Sequence, residues 1–225
     1  MFSLINLIRS GDTIGAIIFI LTGCFVVFVC SPIHELSHAF IAYKLGDNTA
    51  KREGRLTFNP IKHIDPIGMI MILLFGIGYA KPVPVDMRNF KNPKQGMALV
   101  AFAGPVSNIL MAWISCFCLY GITAAGSTST LLGFVRLFFM FSMYINISLG
   151  VFNLLPIPPL DGSKILAAIL PDKVYYKYMM YERYVMIALM LLLFTGALSG
   201  VINGLSDVMF KLISIVPKLI FGDIV

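Results

Sequence analysis

The chain has 225 residues, of which 58% are hydrophobic and 12% are charged. A water-soluble domain of this length could not bury so much apolar surface, so the composition excludes an ordinary soluble protein and indicates an integral membrane protein. The net charge is +6, but 9 of the 17 Lys and Arg residues lie between Lys44 and Lys94, among loops that border apolar segments. This clustering follows the positive-inside pattern, and no nucleic-acid partner is expected.

The first predicted helix covers residues 14–44 and contains no charged side chain before Glu35. As one helix it would be about 45 Å long, which exceeds the roughly 30 Å hydrocarbon core of a bilayer. The stretch is therefore either one tilted span or two pieces. A kink is expected at Pro32, because proline removes a helical hydrogen bond and clashes with the preceding turn.

A second apolar run begins at Pro66 and is too short for a comfortable span. Lys62 and Lys81 flank it with the same sign of charge, so residues 66–85 are predicted to form a re-entrant element that enters and leaves on the cytoplasmic side. Its last part, from Lys81 to Val85, contains two prolines and is predicted to be extended at an edge position.

Three further spans are predicted at residues 96–121, 131–155 and 184–204. The loop at 122–130 carries no charge and is assigned to the extracytoplasmic side, whereas the loop before residue 184 is basic and returns to the cytoplasm.

Residues 1–205 are thus predicted to form the membrane core, and residues 206–225 an amphipathic helix at the interface. That helix is predicted because Asp207, Lys211, Ser214 and Lys218 share one helical face. The expected fold class is an all-α integral membrane protein, a polytopic helical bundle with a re-entrant element and a short extended segment.

The strongest chemical motif lies within the first predicted helix. His34 and His38 are one helical turn apart, so their imidazoles share a face and can hold one zinc ion, with Glu35 beside them. Glu35 can then take a proton from a water activated by the metal and deliver it to a leaving amine. Ionisable groups in an apolar span cost roughly 2 to 3 kcal/mol each unless they are paired or ligated, which favours a functional site over incidental spacing.

A catalytic zinc needs a third protein ligand and an open position. Cys30 is excluded, because it would lie about 12 Å from His38 along a straight helix. Asp161 is the candidate, since it follows a proline-rich interruption of an apolar run, and broken backbone at membrane depth lines a site or is buried in protein. The predicted topology brings it to the same side as the histidines. The alternative role for Asp161 is capping of the following helix.

Two ordered motifs, with a third between them, resemble the site-2 protease family of intramembrane zinc metalloproteases. They are His34-Glu35-x-x-His38, Gly104-Pro105-x-x-Asn108 and Asn153-x-x-Pro156-x-Pro158-x-Leu160-Asp161-Gly162. The resemblance implies hydrolysis of peptide bonds within or next to transmembrane segments. It also implies one Zn²⁺ per chain held by His34, His38 and Asp161, with Glu35 as the catalytic acid/base.

Asn153 is implied by the same resemblance to hold the substrate or the developing oxyanion, with packing inside the span as the alternative. Asn108 is a further candidate for substrate binding, although a hydrogen bond across packed helices beside Gly104 is the favoured interpretation. Val83 and Val85 are candidates because an extended segment can hold an unwound substrate strand by edge pairing.

The pair His63 and Asp65 is interpreted as local hydrogen bonding rather than as a second metal site. The expected partners of the chain are a transmembrane protein or peptide substrate and the lipid bilayer. The expected location is the cell membrane, with several spans and the active site toward the cytoplasmic side. The oligomeric state is left open.

Two other functions remain as alternatives, a membrane metal-ion transporter and a catalytically inactive scaffold of the same fold. A transporter would use the intramembrane histidines and carboxylates as a transit site. It has no need of a carboxylate such as Glu35 beside an open coordination position. Retention of every predicted ligand and of the base argues against a scaffold.

Overall fold

The computed structural model describes residues 4–75, 80–126, 129–171, 173–174 and 180–224. Within these ranges the regular structure is helical. Three helical stretches are long and apolar enough to cross a membrane, at Thr13–Lys44, Pro93–Ala124 and Thr130–Leu154. The prediction of an all-helical, polytopic membrane protein is therefore confirmed.

The first span is continuous. After a short helix, α1 (Leu4–Arg9), helix α2 (Thr13–Phe25) passes through a π-helical segment, Val26–Cys30, directly into α3 (Ser31–Lys44). Pro32, which cannot donate a helical hydrogen bond, directly follows Ser31, whose N–H bonds to the Val26 carbonyl five residues back in the π-helical pattern. The irregularity therefore takes the form of a π-bulge just before the His34 turn, and such bulges are frequent beside functional sites.

The polar connection after α3 contains a short helix, α4 (Thr49–Arg52), and a 3-10 turn, Pro60–Lys62, and leads to α5 (Pro66–Phe75). The predicted re-entrant element includes residues 76–79, which lie outside the described residues, so its path across or into the membrane stays a prediction. Residues 80–86, called here the 80–86 segment, are not helical. The Lys81 N–H donates to the His63 carbonyl at 2.8 Å, which ties the start of this segment to the loop before α5.

Helices α6 (Pro93–Ala124) and α7 (Thr130–Leu154) pack along each other and form the centre of the bundle. Their contact uses small and hydroxylated side chains. Gly150 lies against Ile109, and the Ser115 and Ser142 hydroxyls are 3.0 Å apart. Such residues let two membrane helices approach closely.

The C-terminal part comprises α8 (Asp161–Ala167), α9 (Glu182–Phe194) and α10 (Ser199–Phe221). The single span predicted at 184–204 is divided between α9 and α10. Gly196 lies between them with φ of 73°, a left-handed conformation that suits glycine beyond a helix end.

Helix α10 also differs from the predicted interfacial helix. It begins at Ser199 rather than at residue 206, and it packs along α6 and α7. Ser214, predicted on the polar face, is buried, whereas Asp207 and Lys211 are exposed. Burial of Ser214 is tolerated because its hydroxyl donates to the Lys211 carbonyl of the same helix at 3.1 Å.

Candidate metal centre

Three buried side chains from two helices converge on one point. The Nε2 atoms of His34 and His38 are 3.1 Å apart, and the Oδ2 atom of Asp161 lies 3.4 Å from the first and 3.2 Å from the second. Two ligand atoms that are each about 2.1 Å from a tetrahedral zinc lie about 3.4 Å from each other. The donor set therefore fits a zinc ion with three protein ligands.

Asp161 reaches the histidines because the chain turns sharply after α7 and restarts at once as α8. Gly162 makes this turn compatible with close packing, since a Cβ at this position would overlap the backbone of Leu154 and Leu155. The second carboxylate oxygen of Asp161 is held by Lys164, whose Nζ lies 3.2 Å from Oδ1. One oxygen thus faces the imidazoles while the other is paired one turn along α8.

Helix α6 provides the wall behind the imidazoles. His38 donates from Nδ1 to the Val100 carbonyl at 2.7 Å, which leaves Nε2 free to act as a ligand. One turn further along α6, Gly104 has no side chain, and a Cβ there would lie 2.6 Å from Cε1 of His34. The absence of a side chain at Gly104 is what lets both rings lie against the helix.

Glu35 lies on the turn between the two histidines and is buried. Its Oε2 atom accepts the Val83 N–H at 3.0 Å, so the 80–86 segment runs directly past the carboxylate. Arg55 holds the start of the segment, with Nη2 donating to the Lys81 carbonyl at 2.6 Å and to the Pro82 carbonyl at 3.3 Å.

The far end of the 80–86 segment is held by Asp47, which is fully buried just after α3. Its Oδ2 accepts the Asp86 N–H at 2.8 Å, and its Oδ1 accepts hydrogen bonds from Thr49 and from Nδ2 of Asn89. Burial raises the pKa of the Asp47 carboxyl, but these hydrogen bonds outweigh burial and hold the pKa below its ordinary value.

The remaining predicted site residues lie around one cavity of about 370 Å³ that includes the metal-ligand cluster. Val83, Val85, Asn108 and Asn153 all line it. Asn153 donates from Nδ2 to the Leu149 carbonyl of its own helix at 3.0 Å. The structure therefore brings every predicted ligand, base and substrate-contact candidate to one cavity, but their roles stay predictions.

His63 and Asp65 take part in local hydrogen bonds, as the sequence interpretation has it. His63 is buried and donates from Nε2 to the Thr57 carbonyl at 2.9 Å, and Asp65 accepts the Ile67 and Gly68 N–H groups at the start of α5. Among the described residues, the cluster of three possible metal ligands is the one formed by His34, His38 and Asp161.

Several supporting residues were not predicted. They are Arg55, Asp47, Val100 and Lys164. Lys164 carried a readable signal, because it is three residues after Asp161 and so shares its helical face. The contacts of Arg55, Asp47 and Val100 join distant parts of the chain and leave no local pattern.

Comparison with known proteins agrees with this site. The family model described as "Peptidase family M50" matches residues 119–194, which include Asn153 and Asp161. "Putative zinc metalloprotease YwhC" of Bacillus subtilis is 44% identical over 84% of this chain and 89% of its own length. "Putative zinc metalloprotease Rip2" of Mycolicibacterium smegmatis is 30% identical over 69% of this chain and 58% of its own length.

An archaeal relative extends the comparison. "Putative zinc metalloprotease MJ0611" of Methanocaldococcus jannaschii is 34% identical over 59% of this chain and 62% of its own length. No solved structure matches the chain significantly. The extent of the match to the Bacillus protein, together with a buried ligand set inside an apolar helical bundle, identifies the chain as a member of peptidase family M50, the site-2 protease family of intramembrane zinc metalloproteases.

Proposed function

We propose that this metalloprotease cleaves peptide bonds within or next to membrane-spanning segments of protein substrates, with one zinc ion held by His34, His38 and Asp161. The observation that carries the proposal is the convergence of three ligand atoms, 3.1 to 3.4 Å apart, in a cavity that Glu35 also lines. Bound zinc would supply a Lewis acid there and lower the pKa of a coordinated water toward about 7.

Glu35 is proposed as the acid/base of the reaction. The Val83 N–H bonded to Oε2 fixes the orientation of the carboxylate, so that a proton taken from the attacking water can be held there and then passed to the leaving amine. Lys164 supports the ligand set by pairing with the oxygen of Asp161 that faces away from the imidazoles.

The substrate is proposed to enter as a locally unwound strand. Hydrogen bonds along a helix hide its scissile carbonyl groups, so a transmembrane helix must open before attack. Val83 and Val85 line the cavity from the non-helical 80–86 segment, and its backbone could pair with such a strand. Asn153 lines the same cavity and is proposed to contact the substrate or the oxyanion.

The site is proposed to face the cytoplasm. The stretch from Lys44 to Lys94 adjoins the site and carries 9 of the 17 Lys and Arg residues, whereas the loop at 122–130 has no charge. A transit site for metal ions is the competing function. The buried carboxylate of Glu35 beside a set of three candidate protein ligands, which would leave the fourth position of a tetrahedral zinc open, favours the hydrolytic function.

Three purified proteins in detergent test the proposal: the wild type, Glu35→Gln and Asp161→Ala. Zinc content is measured together with cleavage of a model transmembrane substrate. Glu35→Gln keeps an oxygen that can accept the Val83 N–H, so it is expected to retain zinc and lose cleavage. Asp161→Ala is expected to lose both. Cleavage by Glu35→Gln would eliminate the proposed base, and full zinc content in Asp161→Ala would eliminate the ligand set.

A further inference from the structure

The two histidines of the metal centre differ in how their second ring nitrogen is held. Nδ1 of His38 donates to the Val100 carbonyl at 2.7 Å. Nδ1 of His34 is buried and has no hydrogen-bond partner among the described protein atoms. A metal-binding imidazole almost always donates its other N–H to a fixed acceptor, which sets the tautomer and the ring orientation. His34 therefore requires an acceptor on its Nδ1 side.

The register between α3 and α6 indicates where that acceptor lies. The helices are antiparallel, because Ala42 and Val100 share one cluster while His34 lies beside Gly104. Val100, Gly104 and Asn108 recur every four residues and so share one face of α6. Side chains on a helix lean toward its N-terminus, so the amide of Asn108 covers the turn that contains Gly104, against which the imidazoles lie.

Asn108 offers the hydrogen-bond acceptor that Nδ1 of His34 lacks. Its exposed fraction is only 2%, and its Oδ1 atom is buried without a partner among the described protein atoms. An N–H of His34 and an oxygen of Asn108 are complementary, and both residues line the same cavity. Leaving both atoms unsatisfied in a buried site would cost free energy on each side.

We propose that Asn108 is a positioning residue that holds the His34 imidazole through one bridging water. Two hydrogen bonds of about 2.8 Å join polar atoms that are too far apart for a direct bond. Ser31, three residues before His34 on the same helix, also lines the cavity and offers a third polar group, and a buried water typically makes about three hydrogen bonds. The inference rests on the proposed ligand set, in which Nε2 of His34 binds zinc.

The proposal separates an acceptor role for Asn108 from a packing role. Asn108→Leu keeps the approximate volume and removes both polar atoms. Asn108→Asp keeps an oxygen acceptor and adds a charge, which a buried packing position in a membrane span would not tolerate. Asn146→Leu is the matched control, because Asn146 is a fully buried amide on α7 that bonds to Cys30 and the Ser142 carbonyl.

The measurements are the zinc dissociation constant, from competition with a chelator, and the visible absorption spectrum of the cobalt-substituted full-length protein. Asn108→Leu is expected to weaken zinc binding about 10- to 100-fold and to change the cobalt spectrum, in line with the loss of other outer partners of metal ligands. Asn108→Asp is expected to bind zinc at least as tightly as the wild type. Asn146→Leu is expected to leave both measurements unchanged.

Wild-type zinc affinity in Asn108→Leu would overturn the proposal, even if the variant bound substrate poorly. Stronger loss of zinc in Asn108→Asp than in Asn108→Leu would also overturn it and would assign Asn108 to helix packing. Asp161→Ala, measured in parallel, distinguishes a failure of the proposed ligand set from a failure of the role given to Asn108. Zinc loss there with none in Asn108→Leu retains the ligand set and removes only the role given to Asn108.

Discussion

The metal centre and the 80–86 segment lie side by side but are held in different ways. The candidate ligands His34, His38 and Asp161 are carried by helices, and their positions follow from close packing of α3 and α8 against α6. The 80–86 segment has no regular structure, and individual side chains hold it: Arg55 at its start, Glu35 in its middle and Asp47 at its end.

Because of this difference, the two regions should be sensitive to different kinds of substitution. A site formed by packed helices is disturbed when the space between the helices changes, because interiors are close-packed and resist small shifts. A segment held by single hydrogen bonds is displaced when one buried partner is removed, since the remaining partners are left unsatisfied. Metal binding should therefore respond to packing changes in α6, and substrate turnover to the anchors of the segment.

The largest effect is expected from Gly104→Ala. A Cβ at this position would lie 2.6 Å from Cε1 of His34, so the imidazoles must shift from the positions in which they face Asp161. We expect zinc content and cleavage to be lost together, measured by metal analysis and substrate assay. Gly133→Ala on α7 is the control, because a Cβ there meets no atom within 4 Å. Full zinc content in Gly104→Ala would contradict the packing explanation.

Asp47→Ala is expected to displace the 80–86 segment and lower kcat/KM without affecting the metal centre. The change leaves the Asp86 N–H and the Asn89 amide without their buried acceptor, at a cost of about 1 to 3 kcal/mol for each unsatisfied group. We expect kcat/KM to fall about tenfold or more, as about 1.4 kcal/mol would produce, while zinc content stays at the wild-type level. Asp86→Asn, a change on a half-buried side chain of the same segment that leaves the Asp86 N–H available to Asp47, serves as the control. Loss of zinc in Asp47→Ala would show that the two regions are not separable.

Arg55→Lys should give a smaller effect of the same kind. The guanidinium bonds to two successive carbonyls, whereas a lysine ammonium is a single point donor on a flexible stem. We expect kcat/KM to fall a few-fold without a change in zinc content, as the loss of about 1 kcal/mol would produce. An unchanged kcat/KM in Arg55→Lys would mean that the hydrogen bond to Lys81 alone positions the segment.

The smallest effect is expected from lowering the pH, which removes the stabilising contribution of the Asp47 carboxylate. The folded-state pKa of Asp47 lies below its ordinary value of 3.8, so its stabilising contribution is fully present above that pH and is lost as the pH falls through the lower folded-state value. We expect the difference in thermal unfolding temperature between the wild type and Asp47→Asn to be constant from pH 7 to about pH 5 and to shrink below about pH 4. A difference that grows on acidification would contradict the assignment.

The sequence singled out the three residues that converge at the candidate metal centre because their signals are local or chemical. Two histidines at a four-residue spacing share a helical face in any helix, and ionisable groups inside an apolar run require a reason. Asp161 was found through the broken backbone before it. The boundary between α9 and α10 was missed because apolar residues continue on both sides of Gly196.

The burial of Ser214 was missed for a different reason. A hydroxyl counts as polar in a sequence pattern, although a bond to the carbonyl of its own helix lets it face the interior.

The sequence by itself determined the membrane class, the helical fold and the candidate metal ligands, because hydropathy, helical periodicity and metal chemistry act at short range. The tertiary structure alone decided which groups support those ligands. The Val100 carbonyl beside His38, the close approach of both imidazoles to Gly104 and the anchors at Asp47 and Arg55 join residues between 26 and 70 positions apart in the chain. Such contacts depend on the register between packed helices, which no local pattern encodes.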